Sequence, residues 1–192
     1  MTSVPEKLLP TPSHTVGPFY GYALPFPEGE QVAPKGHPDT IVLHGHVLDG
    51  QGDPVPDAIL EFWQAGPDGS LTGAPGSLRR DTTTGGHLGR NGTDFTGFGR
   101  VATDADGHYA LFTLPPGNAG LPYISVCVFA RGLLHHLFTR AYLADGADPL
   151  LDALPAERRA TMLAQPQEGA HRTYRFDIRL QGEGETVFLE FQ

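Results

Sequence analysis

The sequence at residues 39–65 is "DTIVLHGHVLDGQGDPVPDAILEFWQA". Two apolar runs flank "DGQGDPVP", in which Gly, Asp and Pro are the residue types typical of turns. After this turn, Ala58, Leu60 and Phe62 occupy every second position, which places them on one face of a strand. The stretch therefore predicts a strand, a turn and a second strand, and it favours an all-β chain.

The same pattern continues along the chain. Apolar runs separated by turn residues predict strands on both sides of a tight turn at 104–107, and further strands at 122–130 and 137–143. The only segment that favours a helix is "PAERRATMLAQ" at 155–165, with Pro155 near its first turn. Six to eight short strands, one short helix and long loops indicate a β-sandwich.

Two segments lack the strand pattern. Residues 1–39 are rich in Pro, Gly and Ser/Thr but contain several aromatic residues, which a disordered tail would not need. We therefore expect an N-terminal arm over 1–39 that packs on its own domain or on a partner, and a sandwich domain over 40–192. Residues 66–99 predict a long irregular loop, and such loops are usually functional or disordered.

Composition excludes several classes of protein. The chain has 192 residues, a net charge of −9 and a pI near 5.3, so it lacks the basic face that a nucleic-acid partner requires. No apolar run approaches the ~20 residues of a membrane helix, and we expect neither a membrane span nor a signal peptide. The single cysteine, Cys127, permits no disulfide within the chain, which favours the cytoplasm.

Candidate chemical groups do not form a complete active site in the sequence. His44 and His46 share one face of a predicted strand, but no third ligand stands at a matching spacing, so solvent-facing histidines are favoured over a metal site. His135 and His136 are adjacent, and strand alternation would point them to opposite faces. Cys127 lies inside an apolar strand, where a thiol is usually buried and unreactive.

One charge stands at the end of an apolar strand. The segment "LPYISVCVFARG" (121–132) begins as a buried strand and ends on Arg131. Burial of an unpaired charge costs several kcal/mol or more. We therefore expect either that the strand reaches the surface at Arg131 or that a partner group pairs with it.

Four stretches together resemble the intradiol ring-cleavage dioxygenases. They are "HGHVLDGQGDPVPDAILEFWQAGPDG", "FGRVATDADGHYALFTLPPG", the strand that ends in "FARG", and "HTVGPFY" in the arm. The resemblance runs from about residue 11 to the C-terminus. It implies a β-sandwich of the intradiol dioxygenase type and a role in Fe(III)-dependent cleavage of a catechol ring between its two hydroxyls.

This chain differs from that family at the residues that bind the metal. In the family, two tyrosines and two histidines hold ferric iron, and the positions that resemble the H-x-H histidines are Tyr123 and Ser125 here. The tyrosine expected after "WQA" falls near Leu71, and the segment that normally carries another tyrosine is contracted to "PPGNAGL" (115–121). The resemblance therefore implies that this chain binds no metal. Fe(III) would lie in a partner, a beta subunit of similar fold.

The resemblance also implies which residues serve the partner's pocket. Thr15, Gly17 and Pro18 in the arm would form part of the pocket wall, and Arg131 would reach its mouth. A guanidinium can bind a carboxylate with two parallel hydrogen bonds. The resemblance implies that the substrate is a small catechol that carries a carboxylate, which Arg131 could bind in this way.

Two other interpretations remain open beside this non-iron subunit of a hetero-oligomeric enzyme. A self-sufficient dioxygenase with unusual ligands would bind iron by itself. A transthyretin-like β-sandwich module, with a binding or structural role, would share "G-x-V-x-D-x-x-G-x-P-V-P-x-A" but would not need the aromatic arm at 14–26. Many relatives have Tyr directly after Gly-Pro, and whether Phe19 or Tyr20 takes that place here also stays open.

Overall fold

The computed structural model describes residues 11–17, 19–117, 120–168 and 172–191. None of the helices in these ranges is long and apolar enough to cross a membrane. In chain order, the elements are α1 (Tyr20–Ala23), β1 (Ile41–Leu48), β2 (Ile59–Trp63), β3 (Leu78–Arg80), β4 (His87–Arg90), β5 (Phe98–Ala102), β6 (His108–Thr113), β7 (Tyr123–Phe129), β8 (Leu137–Tyr142), α2 (Pro149–Asp152), α3 (Ala156–Ala160), β9 (Gln165–Gln167), β10 (Arg172–Arg175) and β11 (Ile178–Arg179).

The first sheet is built around β1. The β6 strand pairs with it antiparallel on one side, while β10 and β11 pair with it in parallel on the other, one after the other. Between β10 and β11 the carbonyl oxygen of Phe176 comes so close to Gly45 that a Cβ there would lie 2.0 Å from that oxygen. Only glycine permits this approach, which interrupts what would otherwise be one continuous strand.

The second sheet has the strand order β5-β2-β7-β8, and its neighbouring strands are antiparallel. Burial alternates along β7, so Ile124, Val126 and Val128 face inward and the intervening side chains face outward. The segment 66–99, predicted to be a long loop, includes the small β3–β4 ribbon.

The core lies between the inner faces of these two sheets. Leu43 and Leu111 of the first sheet belong to the same buried cluster as Leu60, Phe62 and Val126 of the second. Alternating strand residues thus bury one face of each sheet, which is the arrangement expected of a sandwich. The predicted all-β sandwich is confirmed.

The helix predicted at 155–165 is shorter than expected. It is α3, which ends at Ala160 because the residues that follow pair with the end of β8: the Tyr142 amide donates to the Met162 carbonyl at 2.9 Å, and the Ala164 amide donates to the Tyr142 carbonyl at 2.8 Å. Two single-turn helices that the pattern did not indicate, α1 and α2, are also present. The N-terminus of α2 is capped by Asp148.

The described part of the arm packs on the sandwich. Val32 lies in the main core cluster, and the amides of Val32 and Ala33 both donate to the Phe112 carbonyl, at 2.8 and 3.0 Å. Phe26 is buried beside Arg90 and Arg100. The division of the chain at residues 39 and 40 stays a prediction.

Candidate functional site

Arg131 lies where the chain leaves β7 and reaches the surface. Ala130 before it is buried, and Gly132 after it has a φ of +86°, which lets the backbone turn away from the sheet. The Arg131 side chain is 67% exposed, and its Nε donates a hydrogen bond to a carboxylate oxygen of Asp57. Both expectations for Arg131 are therefore met: the strand surfaces, and a partner group is present.

Tyr20 attaches the N-terminal arm to Asp57, the residue that pairs with Arg131. Its ring is buried, and its hydroxyl donates to the backbone carbonyl of Asp57. Burial raises the pKa of Tyr20, and the charge of Asp57 acts in the same direction against the opposing charge of Arg131. Tyr20, Tyr22, Asp57, Ile59 and Arg131 together border a cavity of about 240 Å³. The single-turn helix α1 is therefore held next to Arg131.

The arm residues proposed for the pocket lie just before α1. Thr15 is exposed, and Gly17 is half-buried with a φ of +74°, a conformation that favours glycine. Pro18 lies outside the described residues. The neighbouring His14 and Val16 line a cavity of about 170 Å³ that also touches Phe129 and Ala130, directly before Arg131. The structure therefore brings the arm and Arg131 to one end of the second sheet.

His135 and His136 lie in the connection between β7 and β8, outside both strands. The chain bends between β7 and β8, so strand alternation does not apply there, and both histidines line the same cavity as His14. The ring of His136 packs against Phe129 and, edge-on at 4.6 Å between centroids, against Phe138.

His44 and His46 share the outer face of β1, as the spacing predicts. His44 Nδ1 lies 3.3 Å from Nε2 of His108 on β6, and His46 Nδ1 lies 3.6 Å from a carboxylate oxygen of Asp177. His44 Nε2 is also 2.7 Å from the side-chain oxygen of Gln167. In the described ranges, no group of three or more His, Cys, Asp or Glu residues is arranged to hold a metal ion. The His44 ring is therefore hydrogen-bonded at the surface, and the His46 ring lies beside a carboxylate.

The positions that resemble the family's iron ligands do not fit iron here. Tyr123 and Ser125 both face outward from β7, and the guanidinium of Arg140 lies over the Tyr123 ring at 4.3 Å. Nη1 of Arg140 donates to the hydroxyl of Tyr142 at 3.1 Å, and that hydroxyl donates to Asp148 at 3.0 Å. These two positions therefore present a hydroxyl and a tyrosine ring covered by a guanidinium, in place of two imidazole ligands.

Cys127 does not lie in the core, contrary to the expectation. The inward face of β7 consists of its apolar residues, and Cys127 is on the alternate, outward face, half-buried. It lines a cavity of about 290 Å³ together with Glu61, Trp63 and Ser125. Burial, reinforced by the charge of Glu61, raises the pKa of the thiol to about 12. Partial burial on the outer face of the sheet, rather than burial between the two sheets, therefore keeps the thiol protonated near neutral pH.

Comparison with known proteins gives the family. The profile of the family described as "Dioxygenase" matches residues 16–182. The chain belongs to the intradiol ring-cleavage dioxygenase family.

Within this dioxygenase family, the chain is similar to alpha chains along nearly its whole length. It is 41% identical to the protocatechuate 3,4-dioxygenase alpha chain of Burkholderia cepacia, over 94% of this chain and 96% of that relative. The Pseudomonas putida alpha chain is 37% identical over 98% of this chain and 100% of the relative. The Burkholderia cepacia beta chain is 30% identical over 77% of this chain and 67% of the relative.

Solved structures show the same fold. The dioxygenase domain of a carbohydrate-binding fusion protein from Streptomyces sp. SirexAA-E has a TM-score of 0.58 and 25% identity, covering 90% of this chain and 99% of that one. Catechol 1,2-dioxygenase from Pseudomonas arvilla C-1 has a TM-score of 0.55 at 19% identity, covering 89% of this chain and 60% of that one. At that lower identity the likeness concerns the fold alone.

Sequence reasoning missed two residues of these sites. Asp57 stands in a turn, where aspartate is common, so nothing in the pattern marks it as the partner of Arg131. Arg140 could have been found from the sequence. Alternation along the strand predicted at 137–143 puts it on the outer face, because its neighbours Thr139 and Ala141 are on the buried face.

Proposed function

We propose that this chain is the alpha subunit of a protocatechuate 3,4-dioxygenase and that it completes the active-site pocket of an iron-bearing beta subunit. The observation that carries the proposal is that Tyr123, which the resemblance puts in place of a histidine ligand, has the Arg140 guanidinium over its ring. The greater similarity to alpha chains than to a beta chain, with nearly complete coverage, supports the same assignment.

In the proposed complex, this chain contributes substrate binding rather than metal chemistry. The partner's Fe(III) would supply the activation of the catechol that precedes cleavage to 3-carboxy-cis,cis-muconate. Thr15, Gly17 and Pro18 would form part of the pocket wall, and Arg131 would face the substrate carboxylate. The hydrogen bond from Nε to Asp57 uses one of the five N–H donors of the guanidinium, so a fork of donors remains for an anion.

Charge supports this role for Arg131. The chain has a net charge of −9, which disfavours the approach of an anionic substrate unless a local positive potential offsets it. Arg131 is exposed at the end of the second sheet to which the arm also comes. A carboxylate-bearing catechol therefore has a binding partner in this chain, even though its ring would be cleaved at the partner's iron.

Co-purification tests the proposal. The chain is expressed alone and together with the beta chain from the same source, and each preparation is analysed for subunit content and iron. We expect the chain alone to contain no iron and to be colourless, and the co-expressed pair to purify as one iron-bearing complex active on protocatechuate.

Two results would count against it. Stoichiometric iron in the chain alone would favour a self-sufficient dioxygenase. Failure of the two chains to associate would favour a transthyretin-like module without a catalytic role.

A further inference from the structure

The outward face of the second sheet carries a row of side chains that crosses all four strands. Trp63 of β2 pairs with Phe98 of β5 on one side and with Ser125 of β7 on the other, and Ser125 pairs with Arg140 of β8. Side chains at such cross-strand positions are direct neighbours. The row therefore runs from two aromatic rings, across a serine, to a guanidinium.

The neighbouring row of cross-strand pairs lies beside the first on the same outward face. Together the two rows form the floor of a cavity. Here Glu61 of β2 pairs with Arg100 of β5 and with Cys127 of β7, and Cys127 pairs with Phe138 of β8. Arg100 donates to one carboxylate oxygen of Glu61 from Nε at 2.8 Å and from Nη2 at 2.6 Å. The negative charge of Glu61 is thus paired with Arg100, and Glu61 lies two strands away from Arg140.

The two small side chains at the centre leave space above them. Ser125 and Cys127 form the middle of the floor of the cavity of about 290 Å³, which is close to the lower limit of ligand pockets, about 300 Å³. Leu189 and Phe191 of the C-terminal segment border it, with the ring of Phe191 edge-on to Phe138 at 5.2 Å. The space is mostly apolar and has the size of one small aromatic molecule.

Arg140 contributes a positive charge to the lining of this mostly apolar cavity. It is half-buried, lies over the Tyr123 ring and donates to the Tyr142 hydroxyl. Over the described ranges, no carboxylate oxygen lies within 4.0 Å of its guanidinium, whereas Arg100 beside the same cavity has Glu61. Asp148 reaches this guanidinium only through the Tyr142 hydroxyl, so no carboxylate of the described residues contacts it directly and its other N–H groups can donate to a bound anion.

We propose that this cavity binds an aromatic carboxylate, with the carboxylate on Arg140 and the ring above Ser125 between Trp63 and Phe138. A guanidinium recognises a carboxylate through parallel hydrogen bonds, and the aromatic walls favour a planar apolar body. The site consists of this chain's own residues and requires neither a metal nor a second chain.

The chain carries its own two reporters for this site. Trp63 is the only tryptophan and Cys127 the only cysteine, and both line the cavity. We would titrate the full-length chain with benzoate while following tryptophan fluorescence, and measure alkylation of the thiol in parallel. We expect a saturable fluorescence change, and alkylation slowed about fivefold or more by saturating benzoate.

Variants separate the carboxylate contact from non-specific binding. Arg140→Gln should weaken benzoate binding about tenfold or more, because the charge-assisted hydrogen bonds are lost. Neutral benzamide should bind the native chain and Arg140→Gln equally. Arg80→Gln, at an exposed arginine of the β3–β4 ribbon, is the matched control and should leave benzoate affinity unchanged.

A fluorescence change that does not saturate, or an unchanged benzoate affinity in Arg140→Gln, would overturn the proposal. If Arg140→Gln does not fold by circular dichroism, Arg140→Lys replaces it, and loss of the planar fork should still weaken binding several-fold. Failure of the proposed subunit function would appear separately, as a lack of association with the beta chain, since the titration uses this chain alone.

Discussion

Arg131 and Asp57 are 74 positions apart in the sequence, yet Nε of Arg131 donates a hydrogen bond to a carboxylate oxygen of Asp57. The Arg131 side chain is 67% exposed, and exposed ion pairs contribute little to stability, about 0–1 kcal/mol. The pair therefore matters mainly for orientation, because it fixes the guanidinium beside the arm.

Replacement of Arg131 tests its role toward substrate. In the complex with the beta chain, we expect Arg131→Ala to raise KM for protocatechuate by roughly ten- to hundredfold, since a hydrogen bond to a charged group contributes about 1.5–3 kcal/mol. Iron content should not change. Steady-state kinetics and metal analysis measure the two effects, with Arg80→Ala as the control. An unchanged KM would contradict the assignment of Arg131 to the pocket.

Removal of residues 1–20 tests the arm. The deletion removes the Tyr20–Asp57 hydrogen bond and the arm side of the cavity at His135, but leaves Val32 in the core. We expect weaker assembly with the beta chain or lower activity, while thermal unfolding of the domain remains cooperative. Tyr20→Phe, which loses only the hydroxyl contact, should destabilise by about 1 kcal/mol. Full activity of the truncated chain would argue against a role for the arm.

Acid should weaken the fold partly through Asp177. Burial alone would raise its pKa, but hydrogen bonds from the Arg175 side chain and the His46 amide outweigh this and lower the pKa below 3.8. A group with a lowered folded-state pKa stabilises the protein above its unfolded pKa, and this contribution is lost as pH falls through the folded pKa. We expect Asp177→Asn to be less stable than the native chain at neutral pH.

The difference between Asp177→Asn and the native chain should shrink as the pH falls below about 3.8. Urea unfolding at neutral and acidic pH measures it. The exposed Asp106→Asn serves as the matched control. A constant difference across this range would show that the carboxylate charge of Asp177 does not contribute.

The single thiol should react slowly with alkylating agents. Its pKa rises from 9.0 to about 12, so at about pH 8 the thiolate fraction is on the order of 1000-fold smaller than in the unfolded chain. Iodoacetamide should therefore modify Cys127 roughly a thousandfold more slowly in the native protein than in urea. Mass spectrometry of timed samples gives both rates. Comparable rates in the two states would show that the thiol is not held protonated.

The break between β10 and β11 should depend on Gly45. A Cβ at this position would lie 2.0 Å from the Phe176 carbonyl oxygen, and both groups are backbone-bound, so the contact cannot be relieved by a side-chain rotation. We expect Gly45→Ala to destabilise the fold by about 3 kcal/mol or more, measured by denaturant unfolding. Gly21→Ala is the control, because no atom lies within 4 Å of a Cβ built there. Equal stability of the two variants would contradict the close approach.

The sequence predicted strands well because alternation is a local property. Tyr109, Leu111 and Thr113 share the buried face of β6 as their spacing indicated. The same rule gave the wrong location for Cys127, since an apolar run does not say which of its two faces is the inner one. The rule does not apply to His135 and His136, which lie in a bend between two strands.

The sequence alone determined the all-β class and the relationship to the dioxygenase family, because turn residues, period-two alternation and motif spacing are all local in the chain. The tertiary structure decided that Arg131 pairs with Asp57, that Arg140 lies over Tyr123, and that Gly45 meets Phe176. Each of these contacts depends on strand register and on how a sheet or loop brings separate segments together. Local patterns contain no information on such distances, so only the folded chain shows them.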